Sequence, residues 1–85
     1  MKEFKYVITD EVGLHARPAG RLVKEAAKYA SKVTISGGKK PVDGKRMMAV
    51  MSSGIKHGDE VTVTVEGEDE AEAAVALEAF MKENL

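Results

Sequence analysis

His15, Arg17 and Pro18 lie within four residues of one another in the stretch GLHARPAGRL, residues 13 to 22. Apolar residues begin to recur at helical spacing from Pro18 onward, which places this trio at the start of a helix. The first helical turn leaves backbone N–H groups without intrahelical partners and carries the positive end of the helix dipole. An anion is stabilised there, phosphate above all. Pro18 suits that turn, because its missing N–H is not needed and its φ is already helical. His15 at or near the N-cap brings an imidazole beside those donors. Arg17 adds a planar, permanently charged fork matched to phosphate oxygens. Gly13, just upstream, permits unusual backbone angles.

The same dipole disfavours an imidazolium, so His15 is expected to be neutral near pH 7. A neutral ring nitrogen can attack a phosphoryl group, and the helix end with Arg17 can hold the resulting dianion. No general base stands close by in sequence. The arrangement suits accepting and handing on a phosphoryl group better than hydrolysing a bond. Spacing alone also admits a plainer reading, in which His15 is a polar cap and Arg17 is solvated. His57, in KHGD, reads as an exposed turn residue without a role.

The elements that must position this trio are legible from periodicity. Residues 2 to 8, KEFKYVI, alternate as a strand with Phe4, Tyr6 and Ile8 on one face and Lys5 and Val7 on the other. The helix that follows carries a stripe of Ala19, Leu22, Val23, Ala26 and Ala30, with Arg21, Lys24, Glu25 and Lys28 away from its centre. KVTIS, 32 to 36, reads as a strand with Val33 and Ile35 inward. Gly37 and Gly38 supply a turn, and 39 to 45 form a brief edge strand, since Pro41 lacks a ladder donor. Met47 to Met51 read as a short helix stopped by Gly54. EVTVTVE, 60 to 66, alternates cleanly with its valines on one side. A last helix opens on Glu68, Asp69 and Glu70, anions suited to its N-terminus. Its buried side is expected to hold Ala74, Leu77 and Met81, with Ala73 and Phe80 flanking them. The order β-α-β-β-α-β-α points to an α+β fold, an antiparallel sheet with helices on one face and water on the other. Strand order does not follow from periodicity.

Composition narrows the function classes. Eighty-five residues make a single domain, 1–85, too small for a deep walled active site. Thirteen basic and fourteen acidic side chains lack the basic excess of a nucleic-acid binder. No apolar run is long enough to insert in a membrane, and the N-terminus lacks a signal-peptide core, so a cytoplasmic location is expected. Without cysteine, and with two histidines, the chain has neither disulfides nor a zinc ligand set; no metal and no cofactor is expected.

GLHARPA, the apolar MMAVMSSG segment and the GDEVTV strand together resemble HPr, the histidine-containing phosphocarrier family of the bacterial phosphoenolpyruvate:sugar phosphotransferase system. The resemblance spans essentially the whole chain. It implies an open-faced β-sandwich, a four-stranded antiparallel sheet covered on one side by three helices. It implies a monomeric carrier rather than an enzyme, with His15 taking a phosphoryl group on Nδ1 from enzyme I and passing it to enzyme IIA domains. Arg17 carries over as the phosphate-stabilising side chain. The partner surface maps onto Ala16, Gly20, Met47, Met48 and Met51. Core packing is the competing role for the methionines and is expected to claim one of the three. Methionine also suits surfaces that must fit several partners.

Many Gram-positive relatives carry a regulatory serine at the start of the second helix. Here the stretch reads Lys45-Arg46-Met47-Met48, and Arg46 occupies that position. Two function classes therefore stand side by side: a phosphoryl carrier, and a regulatory binding module that docks on transcriptional or metabolic regulators. Retention of His15 with Arg17 favours the carrier.

Overall fold

The computed structural model of the chain describes residues 1–10, 16–37 and 41–85. Its elements run β1 (Lys2–Val7), α1 (Ala16–Ala27), β2 (Lys32–Ser36), β3 (Val42–Asp43), α2 (Met47–Met51), β4 (Glu60–Glu66) and α3 (Glu70–Asn84). The four strands form one antiparallel sheet in the order β1-β4-β2-β3. β4 is central, and its alternation is clean for that reason: Val61, Val63 and Val65 are fully buried while Thr62 and Thr64 face the open side. Val33 and Ile35 of β2 join the same apolar face. The three helices cover it as expected. α3 packs on β1 and β4, α1 packs against both other helices, and α2 lies over β3.

α1 begins at Ala16, two residues earlier than the apolar stripe indicates, and Pro18 is buried within its first turn. Ala19, Leu22 and Ala26 are buried and Val23 is partly so. Ala30 is not part of the stripe but exposed. The chain leaves the helix through tighter bonds, Lys28 N to Glu25 O and Tyr29 N to Ala26 O, both 3.2 Å, and turns toward β2. The edge strand is likewise shorter than expected. β3 pairs at Val42 and Asp43 alone, and Lys39 and Lys40 lie outside the described residues. In α3 the seam runs through Ala73, Leu77, Met81 and the following Leu85, all at four-residue spacing. Ala74 is thereby displaced to the partly buried flank, where Phe80 also sits. Among the described residues no helix is long and apolar enough to cross a membrane.

One polar cluster ties the segment after α1 to the start of α3. Asp69 precedes α3 as its N-cap, yet its carboxylate makes no cap bond to its own helix. It accepts instead from Ala30 N at 2.8 Å, from Ser31 N at 2.9 Å and from the Ser31 hydroxyl. Gly67 makes the approach possible, because a Cβ there would stand 2.6 Å from Ser31 Oγ and 2.7 Å from Ser31 Cα. The Ser31 hydroxyl first, and then the Ala30 N–H, hold the Asp69 carboxyl below its ordinary value. A depressed folded-state pKa stabilises the fold above the unfolded value and loses that contribution as pH falls through the folded value. Asp69→Ala is therefore expected to lower the melting temperature by several degrees at neutral pH. The gap from the parent should close as pH drops below about 4, where an unfolded aspartate takes up its proton. Thermal melts of both chains between pH 2 and pH 7 check this, and a gap that does not change with pH would contradict it.

Candidate functional site

α1 presents Arg17 as its second residue, exposed, with buried Pro18 behind it. Pro18 needs no N–H partner, so burying the first turn on that side strands no donor. No acidic side chain stands in that turn to consume the positive end of the dipole. The chemistry this supports is binding of an oxyanion by N–H groups and a guanidinium. His15 lies outside the described residues, and Ala16 opens the helix. His57 is exposed in the turn before β4.

Gly20 and α2 meet. A Cβ built at Gly20 would sit 3.6 Å from Met47 Cε, an ordinary contact distance, so Met47 packs beside Gly20 on α1. The methionines then divide by role. Met47 is partly buried and packs on the core, whereas Met48 is 74% and Met51 41% exposed. Only Val50 of α2 is fully buried. The helix is five residues long and ends at Ser52, with Gly54 in the left-handed region at φ 75° turning the chain away. Met48 borders an open depression with Lys45, Arg46, Met47 and Ala49. Lys45 is engaged there, donating from Nζ to Tyr29 O at 2.7 Å. Arg46 is exposed and supplies the N-cap position of α2 without a side-chain cap bond.

A second, more polar depression adjoins the start of α1, lined by Asp10, Arg17, Pro18, Arg21 and Asn84. Leu85 anchors one wall: its carbonyl accepts from Asp10 N at 2.8 Å and from Thr9 Oγ1 at 2.9 Å. Arg21 and Asn84 were not drawn toward Arg17 by the sequence pattern. The one available signal was the four-residue spacing of the two arginines. Charge is also segregated across the helix layer. α1 carries Arg17, Arg21 and Lys24 against Glu25, and Lys45 and Arg46 lead into α2, whereas α3 carries Glu70, Glu72, Glu78 and Glu83 against Lys82. The α1–α2 side is therefore the cationic one.

Residues 2–83 match the family described as PTS HPr component phosphorylation site. The chain belongs to this family. A phosphocarrier protein HPr of Mycoplasma capricolum is 44% identical over 81 residues, covering 95% of this chain and 91% of the relative. A solved histidine-containing phosphocarrier protein of Mycoplasma superposes with a TM-score of 0.93 at 43% identity, covering 96% of this chain and 93% of that one. Crh, a catabolite repression protein of Bacillus subtilis solved as a dimer with a swapped domain, is 38% identical with a TM-score of 0.77, covering 100% and 98%. As an HPr-family member the chain is a phosphocarrier of the phosphotransferase system.

Proposed function

We propose that this HPr-family chain carries the phosphoryl group on Nδ1 of His15, taking it from phospho-enzyme I and passing it to enzyme IIA domains. The observation that carries the reading is the family match across the phosphorylation-site motif, together with Arg17 exposed at a helix start that has no acid in its first turn. In the transfer, the ring lone pair attacks phosphorus and the bond from phosphorus to the enzyme I donor atom breaks. The electron pair of that bond stays with the donor. Arg17 and the free N–H groups of the first turn receive the phosphoryl oxygens. The reverse sequence delivers the group to an enzyme IIA acceptor, so the chain is a stoichiometric intermediate and turns over nothing by itself. It is read as acting as a monomer. Mass measurement after incubation with enzyme I, phosphoenolpyruvate and magnesium tests the reading. One added phosphoryl group per chain is expected.

Docking is assigned to the cationic side, with Ala16, Gly20, Met47, Met48 and Met51 at its centre. A partner surface rich in acidic groups fits it. Met48→Glu replaces an exposed side chain, so its effect on stability is expected to stay within about 0.5 kcal/mol. Transfer from enzyme I is expected to fall at least tenfold, since the new charge is set against an acidic partner. Parallel transfer kinetics and thermal melts separate the two effects. A large stability loss with normal transfer would assign Met48 to packing instead.

A further inference from the structure

Arg17 and Arg21 are four residues apart on α1 and line one depression. That spacing is about 6 Å along the helix axis. Helical side chains lean toward the N-terminus, so Arg21 extends over the turn that holds Arg17 and Pro18. Like charges at this spacing repel, and Arg17 lies in the first turn, where the dipole is already positive. Asp10 brings one negative charge to the lining, one fewer than the two guanidinium groups bring positive. A doubly charged oxyanion would relieve that excess.

Asn84 holds Arg21 from a different helix. Arg21 Nη1 donates to Asn84 Oδ1 at 3.4 Å, and Asn84 Nδ2 donates to Phe80 O at 3.0 Å. The second bond determines which end of the amide faces the guanidinium. Among the described residues this contact uses one of the five N–H donors of Arg21, which leaves the fork free to receive an anion.

We infer that Arg21 is a second guanidinium holding the phosphoryl group carried at the start of α1, with Asn84 as its positioning residue. This rests on the proposal that His15 carries that group. On a His57→Ala background, phosphoramidate loads the remaining imidazole without a protein partner: its N–P bond breaks, ammonia leaves with the ring proton, and a ring N–P bond forms. Loading is thus separated from docking, and phosphorus NMR then follows the titration of the attached phosphoryl group. Arg17 and Asp10, the other charged groups lining the depression, are the same in every variant. Removing a neighbouring cation destabilises the dianion and raises the midpoint. Arg21→Ala is expected to raise that midpoint and to lower kcat/KM for transfer from enzyme I roughly tenfold, the value of one charge-assisted hydrogen bond. Arg21→Lys is expected to recover most of the midpoint, and Asn84→Ala to move it in the same direction by less. An unchanged midpoint in folded Arg21→Ala, whatever its transfer rate, overturns the inference. A parent chain that accepts no phosphoryl group from phosphoramidate or from enzyme I overturns the carrier reading, and the role of Arg21 with it.

Discussion

His15→Ala is expected to abolish phosphorylation by enzyme I and phosphoenolpyruvate while the chain stays folded. The effect is all-or-none, because the proposal places a single acceptor at a single helix start. The parent chain should gain one phosphoryl group, and acid should release it, as befits a phosphorus–nitrogen bond. His57→Ala should be labelled like the parent: His57 is exposed in a turn and has no helix end beside it. Arg17→Ala should still fold, since the side chain is exposed, but transfer more slowly. Intact mass before and after acid treatment reads all three variants. Stoichiometric labelling of His15→Ala would move the acceptor elsewhere and remove the basis of the carrier mechanism.

The second large effect concerns Arg46. HPr kinase, with ATP and magnesium, is expected to leave the parent chain without acid-stable phosphate. Arg46 holds the N-cap position of α2 and supplies no hydroxyl, and the resemblance implies that this is where Gram-positive relatives carry their regulatory serine. The nearby hydroxyls are poor substitutes. Ser53 is buried, and its Oγ donates to Val50 O at 2.7 Å. Ser52 caps the opposite end of α2, where the negative pole opposes an added dianion. Arg46→Ser is expected to create a substrate. It should also add roughly 0.5–1 kcal/mol of stability, by replacing a cation at a positive helix end with a side chain that can cap it. Acid-stable phosphate on any serine of the parent would contradict this. An unlabelled Arg46→Ser chain would show that divergence from the kinase substrate extends beyond one side chain.

Much of the fold is legible before any coordinates, because alternation and helical periodicity are properties of neighbouring residues. β4 reads as a strand since a central strand with one buried face must place every second side chain in the core. The start of α1 reads as an anion site for the same local reason: Pro18, Arg17 and the free N–H groups all belong to one turn. Where the structure departs from periodicity, a contact from elsewhere intervenes. By spacing the apolar stripe of α1 runs to Ala30, but the backbone there is claimed by Asp69, 39 residues away. In α3 either alanine, 73 or 74, satisfies the helical period. The seam through Leu77, Met81 and Leu85 selects Ala73.

The functional surface divides along the same line. Local chemistry nominated His15 and Arg17, the resemblance to HPr nominated the methionines of α2, and the chain's length left no room for a deep pocket. Which methionine packs and which is exposed was beyond periodicity, because a five-residue helix is too short to define its own buried stripe. Its rotation is set by Val50 in the core and by Met47 against the bare face of Gly20. The meeting of Arg21 with Asn84 joins positions 63 residues apart. No repeat or spacing encodes that pairing. It arises because α1 and α3 lie side by side on one sheet, so that the end of α3 reaches the start of α1.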